Sequence, residues 1–104
     1  MNIIDTKISL SSERPQLKVG DKLYKVDNRK KTYDKFMKIY PDNSTSDEEK
    51  ETKMIETFLG EKQAKEILEI DMTVDEYKYL TFCILGAVTN EDPEKLKENA
   101  EKNM

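Results

Sequence analysis

The 104-residue chain contains no histidine and no tryptophan, and its only cysteine is Cys83. Without histidine the chain lacks the commonest general base, and with one cysteine it lacks both an intramolecular disulfide and the usual zinc ligands. Carboxylates are abundant, but no spacing fixes two of them around a cleft as acid–base catalysis requires. Glycine is scarce and forms neither a GxGxxG pattern nor a P-loop. We therefore expect no catalytic residue, no cofactor and no metal, and a protein that is not an enzyme.

Long hydrophobic runs are also missing. No stretch of about 18 apolar residues exists, so the sequence predicts no membrane-spanning segment. The N-terminus has no basic region followed by an apolar core, which argues against a signal peptide. We expect the protein to stay in the cytoplasm, where a lone thiol remains reduced. Cys83 lies between Phe82 and Ile84, and this apolar setting favours core packing over nucleophilic chemistry.

The charge is unevenly distributed. Residues 1–40 carry ten Lys/Arg and five Asp/Glu, whereas residues 41–104 carry eight and seventeen. The net charge is therefore +5 in the first part and −9 in the second. Such a dipolar chain can self-associate or be steered towards a charged partner, but simple solvation of both halves is the preferred explanation. The acidic overall balance disfavours general nucleic-acid binding.

The N-terminal part predicts a β-hairpin. Gly20-Asp21 separates two short β-prone runs, which indicates strands at Gln16–Val19 and Lys22–Val26. Ahead of them, the alternation around Ile8 indicates a short edge strand.

Helices follow, and their ends are marked by capping residues. Pro41 ends the first helix, and Ser46 and Thr73 each begin a later helix through a capping box. Asn90 ends the helix that Thr73 begins by adopting the left-handed conformation. Pro93 begins the last helix. Gly60 breaks or bends the helix that contains it. The residues expected on buried faces are Tyr33, Phe36, Met37, Tyr40, Met54, Ile55, Phe58, Leu59, Ala64, Ile67 and Leu68.

One helix, Val74–Val88, is apolar on nearly every side after its first turn. Its stripe of Tyr77, Leu80, Ile84 and Val88 forms one core seam, so the remaining apolar residues face elsewhere. Either neighbouring helices cover them or a partner protein does. On helical geometry alone, the candidate partner-binding residues are Met72, Tyr79, Phe82 and Leu85.

Together these elements predict an α+β fold that is predominantly α, with an N-terminal β-hairpin followed by a small bundle of four to five helices. Residues 1–15 are an N-terminal extension, residues 16–92 a single globular domain, and residues 93–104 a C-terminal helix that frays.

The segments GDKLYKVD, LGEKQAKEILEID and VDEYKYLTFCILGAV, in this order, give the chain a resemblance to a known family. Across roughly residues 17–100 it is similar to the small tail assembly chaperones of long-tailed phages and prophages of Gram-positive bacteria. The resemblance implies a protein that coats the apolar, helical tape-measure protein, keeps it soluble, and hands it to tail tube subunits. It also implies self-association, a place in the host bacterial cytoplasm, and absence from the mature virion.

Two functional hypotheses follow. The first is a non-enzymatic tail assembly chaperone that binds the tape-measure protein. The alternative is a small phage or bacterial regulatory protein that binds a host protein or nucleic acid through its basic N-terminal half, whose first helix carries Arg29, Lys30, Lys31, Lys35 and Lys38.

Overall fold

The computed structural model describes residues 2–8, 14–39 and 46–102. The elements in chain order are β1 (Gln16–Val19), β2 (Lys22–Lys25), α1 (Lys30–Ile39), α2 (Asp47–Leu68), α3 (Val74–Thr89) and α4 (Pro93–Lys102). The predicted fold class is confirmed: an antiparallel hairpin precedes four helices. The last helix is also confirmed, as far as Lys102.

The hairpin turns where the sequence predicted. Gly20 has a φ of 61°, a left-handed conformation that glycine adopts without steric cost, and Gln16 pairs with Lys25 in the antiparallel register. Tyr24 of the second strand and Val26 at its end are buried in the core. The second strand ends one residue earlier than predicted, at Lys25, but the Val26 N–H still donates to Pro15 O at 2.8 Å.

α2 is kinked at Gly60, which has φ 81° and ψ 159° in the middle of an otherwise helical segment. This confirms the predicted break. Two backbone carbonyls just before the kink accept hydrogen bonds from groups outside the helical backbone ladder. The Asp27 N–H donates to Phe58 O at 2.7 Å, and the Gln63 side-chain Nε2 donates to Leu59 O at 2.8 Å. The break therefore also joins the helix to the hairpin.

The core lies between the hairpin, α1, α2 and α3. Phe36 of α1 packs against Phe58 of α2 with ring centroids 5.3 Å apart. Among the described residues, no charged or polar side chain is buried. The buried residues are Tyr24, Val26, Phe36, Met54, Ile55, Phe58, Leu59, Ala64, Ile67, Leu80 and Ile84.

Both ends of α3 are held by local bonds. The Thr73 side chain accepts from the Glu76 N–H at 3.1 Å and the Glu76 carboxylate accepts from the Thr73 N–H at 2.9 Å, which is the predicted capping box. Asn90 has φ 59° at the C-terminal end, also as predicted. A Cβ on Gly86 would lie 2.6 Å from Glu91 O, so glycine is required there for the turn into α4.

Some expected positions were wrong. Met37 and Leu68 are each 41% exposed rather than buried, because the stripes of their helices reach beyond the neighbouring elements. The predicted edge strand near Ile8 is absent from residues 2–8, and Ile8 is exposed there. Residues 9 and 10, which would continue that strand, lie outside the described residues. Tyr40 also lies outside them.

Candidate functional site

The described residues hold no arrangement typical of a catalytic or metal centre. No group of three or more potential metal-ligating side chains occurs in residues 2–8, 14–39 and 46–102. The Cys83 thiol is half-buried, and this burial raises its pKa, which makes it a poor nucleophile near neutral pH. The features that remain are apolar surfaces.

One of these surfaces is a groove of about 470 Å³, here called the β1 groove. Three elements form its walls: the first strand and its turn, the connection between α2 and α3, and α3 as far as Cys83. Its lining residues are Leu17, Lys18, Val19, Gly20, Ile70, Asp71, Met72, Glu76, Tyr79, Leu80 and Cys83. Most of them are apolar, so the groove suits an apolar side chain better than a polar metabolite.

A second groove of about 320 Å³, here called the corner groove, lies on the other side of the same connection. Its lining residues are Glu48, Thr52, Leu68, Ile70, Met72, Thr73, Val74 and Tyr77. Ile70 and Met72 belong to both grooves, so the two form one continuous surface around the turn between α2 and α3.

The apolar side chains at this turn are unusually exposed. Val74 is 70% exposed, Leu68 41% and Ile70 39%. These side chains are exposed because the connection is short: α2 ends at Leu68, and the Thr73 capping box begins α3. Met72 and Tyr77 occupy the positions of a hydrophobic staple around Thr73, and both pack against the core from its edge. An apolar cluster on the outside of a tight turn is typical of a surface that meets another molecule.

Tyr79 is held in place at the β1 groove. Its hydroxyl donates to the Glu94 carboxylate at 2.9 Å, and Lys97 Nζ lies 6.0 Å from the centre of its ring. The bond to Glu94 is the main reason that the pKa of Tyr79 rises to about 12. These two residues of α4 therefore hold the Tyr79 ring in one orientation. A fixed aromatic side chain is a good contact for a partner because it loses little rotational freedom on binding.

The charged residues at the two grooves are mostly acidic. Glu48, Asp71 and Glu76 contribute carboxylates, whereas Lys18 is the single cation among the lining residues. Glu76 is fixed by the Thr73 backbone, which lowers the pKa of its carboxyl. The surface is thus apolar at its centre and negative at its edge.

The structure brings together two of the four residues predicted to bind a partner. Met72 and Tyr79 both line the β1 groove. Phe82 and Leu85 are half-buried further along α3 and line neither groove. Helical spacing alone did not distinguish the side of α3 that meets the groove from the rest of its surface.

Sequence reasoning missed the contributions of Leu17, Val19, Ile70 and Val74. One signal was available for two of them: Ile70 and Val74 flank the capping-box residue Thr73, where the chain leaves one helix and enters the next. Apolar residues at such a boundary have few neighbours from their own helices to cover them. The strand residues carried no comparable signal, because their role depends on where α3 packs.

The basic side chains of the N-terminal half are partly neutralised. Arg29 pairs with Asp27 at 2.7 Å, Lys30 with Asp34 at 2.7 Å, and Lys22 with Glu66. The remaining basic face of α1 carries Lys31, Lys35 and Lys38.

Comparison with known proteins does not place this chain in a family. No family model, no curated protein and no solved structure matches this chain. In the part of the chain that the structure describes, every helix is too short or too polar to cross a bilayer.

Proposed function

We propose that this protein is a non-enzymatic binding protein that holds an amphipathic helix of another protein against the turn between α2 and α3. The observation that carries the proposal is the continuous surface of the β1 and corner grooves, with Ile70 and Met72 between them. A helix presents apolar side chains at i, i+3, i+4 and i+7, which is the spacing a shallow apolar groove can receive. Methionine at the centre helps because its flexible side chain repacks around different partners.

The acidic edge favours one kind of helix. Glu48, Asp71 and Glu76 surround apolar side chains, and residues 41–104 carry a net charge of −9. A partner helix with Lys or Arg beside its apolar stripe would gain favourable charge contacts, whereas an acidic helix would be repelled. The proposed partner is therefore an amphipathic helix with a basic polar face.

Our more specific proposal is a tail assembly chaperone that binds the tape-measure protein in the host bacterial cytoplasm and keeps it soluble until the tail tube forms around it. Its support is the resemblance carried by GDKLYKVD, LGEKQAKEILEID and VDEYKYLTFCILGAV. The groove surface is compatible with this role, because a tape-measure protein is long, helical and apolar along one face.

Co-expression tests this function. Tape-measure fragments that aggregate alone should become soluble when this protein is produced with them. The Ile70→Asp variant, which places a charge between the two grooves, should lose the effect. Leu23→Asp is the matched control: Leu23 is 58% exposed on the hairpin and lines neither groove, so this variant should keep the wild-type effect. If no fragment becomes soluble, or if both variants behave alike, the proposal fails.

The regulatory alternative receives less support, because Lys22, Arg29 and Lys30 already have carboxylate partners within this chain. Its distinguishing result would be DNA or RNA binding that weakens steeply with added salt.

A further inference from the structure

The N-terminal segment, residues 2–8, exposes three isoleucines. Ile4 is 86% exposed, Ile3 83% and Ile8 72%. The segment has no regular secondary structure: Asp5 Oδ1 accepts from the Lys7 N–H at 2.9 Å, and Lys7 has a φ of 61°. Three large β-branched side chains within six residues are typical of a strand that packs against something.

The two edges of the hairpin differ. On β2, the Gln63 side chain binds the outward backbone groups of Lys25: its Oε1 accepts from the Lys25 N–H at 3.0 Å, and its Nε2 donates to Lys25 O at 2.8 Å. A glutamine amide here takes the place of a neighbouring strand, so this edge is closed at Lys25.

On β1, the backbone groups that point away from β2 are those of Gln16 and Lys18. The register shows this. Gln16 lies opposite Lys25, and the backbone groups of Lys25 point outward to Gln63, so those of Gln16 point outward on the other edge. Because such pairs alternate with hydrogen-bonded pairs along an antiparallel ladder, the next outward residue on β1 is Lys18. No described segment pairs with β1 on that side. The open edge belongs to the same strand that forms a wall of the β1 groove.

We propose that the N-terminal segment of a second copy of this chain adds to the open edge of β1 as an extended strand, and that the exchange is reciprocal. Alternation along a strand places Ile4, Thr6 and Ile8 on one face and Ile3 on the other. Ile4 and Ile8 enter the β1 groove, while Ile3 stays outside with Asp5 and Lys7. Docking straightens the turn at Lys7.

A second copy is favoured over closure within one chain because the single chain leaves all three isoleucines exposed and its own segment does not line the groove. Reciprocal exchange fills both grooves of a dimer, and exchange of identical segments is a common route to dimers. The inference does not depend on the proposed partner helix. It adds that such a helix must displace the segment from the groove.

Sedimentation equilibrium of the purified full chain, without any partner, tests the dimer. The wild-type chain should be a dimer, and both Ile4→Asp and Ile8→Asp should weaken dimerisation at least about tenfold, since each removes a buried isoleucine. Ile3→Asp is the matched control: it makes the same change on the outward face and should dimerise almost as well as wild type. A monomer at every concentration would overturn the proposal, and so would equal loss in all three variants.

Cys83 offers a direct check of the geometry, because it lines the groove. In a Thr6→Cys variant oxidised with diamide, which takes up the two thiol hydrogens, a disulfide should join position 6 of one copy to Cys83 of the other. Asp5→Cys, on the outward face, should give much less of this product, and adding Cys83→Ala should abolish it. A bond between position 6 and Cys83 of the same chain would show closure within the monomer and overturn the exchange.

A failed dimer test and a failed solubility test can be told apart. The sedimentation and crosslinking experiments contain only this protein, whereas the co-expression test reads the solubility of another. The two proposals therefore stand or fall separately.

Discussion

The Gln63 side chain binds both outward backbone groups of Lys25 and also donates to Leu59 O. One amide thus closes the β2 edge of the hairpin at Lys25 and also bonds the Leu59 carbonyl just before the kink at Gly60. Leu59 is 5% exposed, so water does not easily replace this bond. This contact fixes how the hairpin sits on α2, and hence where β1 meets α3 to form the groove.

We expect Gln63→Ala to lower the free energy of unfolding by about 1–3 kcal/mol, the usual cost of leaving a buried polar group without a partner. Urea unfolding followed by circular dichroism measures the change. Gln63→Glu is the matched control, because it keeps an acceptor for the Lys25 N–H but loses both donated bonds. The free energy of unfolding of Gln63→Glu should lie between those of wild type and Gln63→Ala, or close to that of Gln63→Ala. Wild-type stability in both variants would contradict this role.

The two glycines of the helical region should respond differently to alanine. At Gly86 an added Cβ would meet Glu91 O at 2.6 Å, so Gly86→Ala should push α4 away from α3. At Gly60 nothing lies within 4 Å of the added atom, and the cost comes only from a φ of 81°. That backbone strain is about 1–3 kcal/mol.

Hydrogen exchange separates the two effects. Gly86→Ala should speed exchange of the α4 amides, whereas Gly60→Ala should lower global stability and leave the relative protection of α4 unchanged. Unchanged protection of α4 in the Gly86 variant would contradict the close approach.

Asp27 should make stability depend on pH in the acid range. Its carboxylate accepts from the Arg29 guanidinium at 2.7 Å and from the Thr32 hydroxyl at 2.8 Å, and the bond to Arg29 is the main reason that its pKa is lowered in the folded state. A lowered pKa means that the unfolded chain binds the proton more readily. The contribution of Asp27 is therefore present above the unfolded pKa of about 4 and is lost as the pH falls below it.

The test compares wild type with Asp27→Asn. The variant should be less stable at about pH 7, and the difference should shrink as the pH falls below about 4. Denaturant unfolding at several pH values measures both curves. A constant difference across this range would show that the charge of Asp27 does not contribute.

Much of the fold was predictable because its determinants are local. Gly20 with Asp21, Gly60, Thr73 with Glu76, Asn90 and Pro93 each set a turn, a kink or a helix end through their own backbone or side chain. What the sequence could not provide is which neighbour covers which face. Met37 and Leu68 belong to the apolar stripes of their helices, yet each is 41% exposed.

The same reason explains why the four residues predicted to bind a partner do not all lie together. Met72 and Tyr79 were predicted from α3 and its start, and they meet in one groove. Phe82 and Leu85 fall outside both grooves, although all these residues are apolar and lie in or next to α3. The decisive fact is the position of β1 beside α3. That position depends on the bonds that join Gln63 of α2 to Lys25, and on the bond from the Asp27 N–H to Phe58 O.

The central claim is that this protein acts by covering an apolar helix at the surface shared by Ile70 and Met72. Nuclear magnetic resonance with an isotope-labelled chain and an unlabelled amphipathic peptide helix with a basic polar face tests it most directly. The account predicts saturable shifts centred on Ile70, Met72 and Tyr79, absent with Ile70→Asp and retained with Leu23→Asp. Saturable shifts confined to Lys31, Lys35 and Lys38 on α1, or none at any peptide concentration, would contradict it.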